Sequence, residues 1–155
     1  MKKLSLLVLA IAATTVLTEI GVAVAQSPAA SIEQRQAAMK MNGAALKTLV
    51  PMARGEQPWN QAAAIQALDT LHKNAMGTAA MFPRGSGPEA GVKTAALPSI
   101  WEKFADFQAA AKAEADASDN LLKLARANDE AGFKAGFAAV GRACGGCHEP
   151  FRAKQ

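Results

Sequence analysis

The stretch FKAGFAAVGRACGGCHEPF, Phe133 to Phe151, decides how this chain is read. Phe133, Phe137, Val140, Cys144, Cys147 and Phe151 follow one another in steps of four, three, four, three and four. That is the spacing of one face of an α-helix, and a strand would alternate every second residue instead. Cys144 and Cys147, the only two cysteines among 155 residues, therefore project from one side of the helix, a turn apart. His148, four residues after Cys144, lies on the same flank.

Two thiols so placed can each add to one vinyl group of a haem, and the neighbouring imidazole can reach the iron. Cys-x-x-Cys-His is the c-type haem attachment pattern, and imidazole is a common axial ligand. Other uses of the pair fit less well. A redox dithiol opens a helix after a strand, where the helix N-terminus lowers the thiol pKa, whereas this pair closes a helix. A structural zinc site takes four ligands, and the remaining histidine, His72, is far upstream. A disulfide three residues long constrains the unfolded chain little. A haem-free Cys-x-x-Cys dithiol protein is kept only as a remote alternative.

Outward from this helix, alanine is abundant and strand-like alternation is absent. Helical spacing appears in three more segments. The first, about 31–50, carries Ile32, Arg35, Met39, Asn42, Leu46 and Leu49, with Ser31 and Gln34 suited to a capping box. The second, about 58–82, places Pro58 in its first turn and marks Ile65, Leu68, Leu71, Ala75, Met76 and Ala79 as buried. The glycine- and proline-rich run Pro83–Pro98 is a connection. The third starts near Ser99, with Ile100, Phe104, Phe107, Ala111, Leu121 and Ala125 on one stripe. Asn128 and Asp129 then supply a stop and a new cap. Four amphipathic helices joined by two short links and a longer one predict an all-α four-helix bundle.

The N-terminus belongs to a different class of segment. Lys2 and Lys3 precede an apolar run, Leu4–Leu17, and Ala23-Val24-Ala25 gives a small-x-small cleavage pattern before Gln26. This is the layout of a secretory signal peptide over 1–25. The run is too short to span a bilayer, so no stable membrane insertion is expected after cleavage. A single domain over 26–155 remains. Lys and Arg total 17 and Asp and Glu 13; without Lys2, Lys3 and Glu19 they number 15 and 12, a net charge of about +3. These charges are interspersed, which argues against nucleic acid as a partner. No paired carboxylates, phosphate loop or nucleophile–base arrangement points to an enzyme.

With its haem motif on the last of four helices, the chain resembles the class II cytochromes c, the cytochrome c-prime family. GRACGGCHEPFR carries the resemblance most specifically. RQAAM (Arg35–Met39), FPRGSG (Phe82–Gly87) and KTAALPSIWEKF (Lys93–Phe104) add to it. The resemblance implies an antiparallel up-down-up-down bundle, periplasmic and often dimeric, with one haem c bound covalently through Cys144 and Cys147. It makes His148 the proximal ligand, Arg35 the partner of a haem propionate, and Arg152 a basic residue near His148. Pro150, between the last two, removes a helical N–H and can bend or end the helix there.

Met39, one turn after Arg35, then faces the distal side of the iron. In the low-spin relatives a methionine here ligates iron and the protein carries electrons to redox partner proteins. In the gas-binding members an apolar residue crowds a five-coordinate iron, which takes nitric oxide or carbon monoxide. Thioether ligation and gap-filling by methionine are both ordinary, so both readings stand, with electron transfer through His148 and Met39 placed first. Met41 points away from the Arg35–Met39 stripe; Met52, Met76 and Met81 read as core residues. His72 reads as solvated or hydrogen-bonded, and Trp101 and Phe104 as pocket or core packing.

Overall fold

The computed structural model describes residues 27–154. The expected leader, 1–25, and its cleavage point after Ala25 lie outside the described residues. The first helix, α1 (Pro28–Ala53), is capped by Ser27, whose Oγ accepts from the Ala30 N–H at 3.2 Å. The capping box expected at Ser31 is therefore a turn too late. Ser31 is buried inside the helix and its hydroxyl has no partner. At 26 residues, α1 is about 39 Å long. It ends at Gly55, whose φ of 73° lets the Glu56 N–H turn back to the Pro51 carbonyl at 2.8 Å.

The second helix, α2 (Gln61–Gly77), begins at the Asn60 cap rather than at Pro58, since the Asn60 side chain accepts from Ala63 N–H at 3.0 Å. A short 3₁₀ turn, Ala79–Met81, completes the second segment. The third segment is broken at Lys103 (φ −122°, ψ 48°) into α3 (Ser99–Glu102) and α4 (Phe104–Arg126). Asn128, at φ 55°, stops α4. Asp129 caps α5 (Glu130–Gly136), which runs through Phe137 into α6 (Ala138–Phe151). No helix among the described residues is long and apolar enough to cross a membrane.

The helices form a four-sided bundle in which α1 packs on α2, α2 on α4, and α4 on α6. The fourth side differs along its length. There α1 touches α5, yet α1 and α6 are not in extensive contact, so the bundle closes at the α5 end and stays open beside α6. The core is correspondingly divided. Leu49, Met52, Leu68, Leu71, Leu121 and Phe133 lead one cluster, with Trp59 and Phe137 against it. Ile100, Phe107 and Phe151 form another, with Phe82, Trp101 and Phe104 packed around them.

Two expected core positions move. Met76 is 69% exposed, because α2 turns Ala64, Ala67, Leu68, Leu71 and Ala75 inward instead. On α1 the buried line runs through Ile32, Arg35, Ala38, Asn42, Ala45 and Leu49, leaving Met39 half-buried at its edge.

Candidate haem site

The two cysteines sit at the division of the core. Cys144 packs against the Leu- and Phe133-containing cluster, and Cys147 against the aromatic one. Burial pushes the Cys144 thiol up to about 12 and the Cys147 thiol up to about 11, and the Glu114 carboxylate adds to both. Thiols held protonated in this way make poor redox nucleophiles, which work by lowered pKa values. The surroundings suit sulfur that will become a thioether.

His148 is half-buried, and its pKa is lowered, first by burial and then by the charge of Arg152. A neutral imidazole is the form that binds metal. Pro150 does not end α6, which closes one residue later at Phe151. Arg152 then turns into extended backbone and its side chain is exposed, while its N–H still donates to the His148 carbonyl at 3.1 Å. The chain end is clamped: Arg152 bridges to Ala96, and the Ala153 N–H donates to Ala95 at 2.8 Å. Ser99 Oγ donates to the Pro150 carbonyl at 2.8 Å. The proline's lost N–H is thus offset by bonds from Ser99 at the start of α3 and from the segment leading into it.

Arg35 is 4% exposed. Its Nη1 donates to Ser86 Oγ at 3.0 Å, and its Nη2 to the Ser86 carbonyl at 2.7 Å and Thr94 Oγ1 at 2.8 Å. The guanidinium lies over the Phe82 ring, 4.5 Å from its centroid, with Trp101 at 6.0 Å. Burial lowers the Arg35 pKa, and the charge of Glu89 opposes this, though the two form no ion pair. All three hydrogen-bond partners are neutral, and a buried charge without a counter-ion is costly. This cation fits a carboxylate brought by a ligand. Ser86 and Thr94 escaped the sequence reading, because nothing local shows that residues 51 and 59 positions after Arg35 return to it.

Met39 follows Arg35 by one turn on α1 and is half-buried, at the edge of the buried line. His72 takes the hydrogen-bonded role, with its Nδ1 3.1 Å from the Ala115 carbonyl. Trp101 Nε1 donates to the Phe82 and Pro83 carbonyls, each at 3.1 Å, which fixes the ring beside Arg35. Glu114 was missed. It continues the Phe107–Ala111–Leu121 stripe at helical spacing, and it is buried against Cys144. The periodicity alone would have found it.

The residues present fit a haem on four counts: paired thiols, a neutral imidazole, a buried cation without an ion pair, and an open side between α1 and α6. A helical bundle so arranged is built as a c-type haem protein. A family-wide sequence profile described as Cytochrome C' matches residues 30–152. Cytochrome c-556 of Agrobacterium tumefaciens (strain II Chrys) is 38% identical over 128 residues, covering 82% of this chain and 100% of the relative. Cytochrome c' of Rhodopseudomonas palustris is 38% identical over 138 residues, covering 87% and 88%. The crystal structure of cytochrome c' from Rubrivivax gelatinosus matches with a TM-score of 0.74 at 31% identity, over 82% of this chain and 98% of that one. The nitric oxide complex of a leucine-to-isoleucine variant of cytochrome c prime from Alcaligenes xylosoxidans gives 0.73 at 26% identity, over 83% and 98%.

The chain belongs to the cytochrome c' family. It is a class II c-type cytochrome, an antiparallel four-helix bundle with one haem c held covalently through Cys144 and Cys147.

Proposed function

We propose that the protein is an exported electron carrier of the periplasm, not a substrate-converting enzyme, in which His148 and Met39 hold the haem iron. The observation that carries this reading is the open side of the bundle between α1 and α6, with His148, its pKa lowered toward the neutral imidazole, on α6 and the half-buried Met39 on α1, one turn after Arg35. A haem ligated by imidazole and thioether supplies one-electron chemistry at a raised potential. Arg35 holds one carboxylate of that group inside the protein. Phe82, Trp101 and Phe107 keep water from it, and the half-buried flank of Met39 lets its flexible side chain reach inward. The partners are redox proteins that dock transiently, as small electron-transfer interfaces do.

A second reading has its own support, since a variant of a relative forms a nitric oxide complex. There Met39 only packs, and the iron stays five-coordinate and open to nitric oxide or carbon monoxide. An absorption spectrum in both redox states separates the two. Ligation by Met39 gives a sharp low-spin spectrum with a far-red methionine–iron band, indifferent to carbon monoxide. Met39→Leu then abolishes that band and makes the spectrum sensitive to carbon monoxide. A broad high-spin spectrum that Met39→Leu leaves unchanged sinks the carrier reading in favour of gas binding.

A further inference from the structure

Glu114 stands on the inward stripe of α4 and is only 7% exposed. Burial raises its pKa, opposed only by a hydrogen bond shared with the Cys144 thiol. Its Oε1 has no partner, and the hydroxyl of Ser118, one turn further on and fully buried, has none either. The titratable groups that face it from α6 are Cys144 and Cys147. On α2, the ring of His72 is engaged at the Ala115 carbonyl. On α5, Lys134 and Glu130 pair with each other at 2.6 Å. Arg35 on α1 is committed to Ser86 and Thr94. Glu114 thus has no cation of its own.

Haem attachment removes the thiol proton of Cys144, which the Glu114 carboxyl neighbours. The Cys144 sulfur becomes a thioether, without a proton to give. A carboxylate buried with neither donor nor cation binds a proton more readily, and a further negative charge nearby strengthens that binding. Its place beside Cys144 would put Glu114 near one attachment point of a bound haem.

We propose that Glu114 is a redox-linked proton site, taking up one proton when the haem gains one electron from a one-electron donor. When the electron leaves, Glu114 releases that proton to water, so one electron and one proton enter and leave together. The paired uptake keeps the charge of the buried region constant. This role rests on redox cycling of the haem and holds with either axial arrangement.

The test is the midpoint potential of the haem-loaded protein, followed by spectroelectrochemistry from about pH 5 to 9. The potential falls as pH rises, by up to tenfold in the reduction equilibrium per pH unit, or 59 mV for one electron. Glu114→Gln removes that slope and leaves the absorption spectrum unchanged. A wild-type potential independent of pH, or a variant that keeps the full slope, overturns the proposal. Spectra from the same cell report the axial ligands, so a failure of Met39 ligation is seen separately. Redox-difference infrared spectra of the wild type give a second readout. A protonated-carboxyl band should appear on reduction, and its absence overturns the proposal even if the variant does not fold.

Discussion

Two ionisable side chains, Arg35 on α1 and Glu114 on α4, are buried, and neither makes an ion pair. Arg35 is held by three hydrogen bonds and two aromatic faces, an arrangement suited to a planar cation that stays charged. Glu114 has no such support, so its effect on stability depends on pH. A carboxyl whose folded pKa lies above its unfolded one contributes fully below the unfolded value, and that contribution is lost as pH rises through the folded one. Each unit between the two values is worth about 1.4 kcal/mol. Urea denaturation of the haem-loaded protein at several pH values should therefore show wild type weakening from mildly acid to mildly alkaline pH. Glu114→Gln should flatten that dependence and gain most at the alkaline end. Parallel curves for the two proteins would mean that Glu114 does not titrate differently on folding.

At the scale of elements, the fourth segment is set by its start as much as by its haem motif. Asp129 accepts from the Gly132 N–H at 2.8 Å and begins α5. That start brings Phe133 under the bundle, fully buried and 4.9 Å from the Trp59 ring. Trp59 is itself tied to Asn128 at 2.8 Å. Removing the cap leaves orphan N–H groups at the helix start, and such changes cost about 1 kcal/mol. Asp129→Ala should lower stability by about that much, measured from the denaturation midpoint, while the haem spectrum stays the same. A spectral change would show that α5 positions His148 as well as the core. The exposed Lys–Asp and Lys–Glu pairs four residues apart on α2, α4 and α5 add little by comparison.

Across the whole molecule, the haem completes a fold that the polypeptide leaves open. Contacts run from α1 through α2 and α4 to α6, and the circle closes only at α5. The apolar clusters on either side of the Cys144–Cys147 step need a large apolar body between them to keep water away. The doubly substituted Cys144→Ala, Cys147→Ala protein, which cannot attach haem, should lose several kcal/mol. Its thermal transition, followed by circular dichroism, should be lower and broader than that of the haem-loaded protein. An equally sharp transition at the same temperature would show that the helices close the bundle unaided.

The helices, their inward faces and the haem motif were legible in the chain because they depend on neighbours three and four residues apart. Phe133 to Phe151 carried a period, a thiol pair and an imidazole within 19 positions, and Asn128 and Asp129 announced the turn before it. Boundaries were less legible. Ser27 out-competed Ser31 for the first cap, and Asn60 rather than Pro58 began the second helix, because several residues in a row were capable of the same job. What the tertiary structure alone decided depended on long-range approach. It brought Ser86 and Thr94 to Arg35, turned Met76 outward and left Met39 at the edge of its stripe. It also parted α1 from α6. No local pattern records such choices, since they follow from how four helices share one limited core.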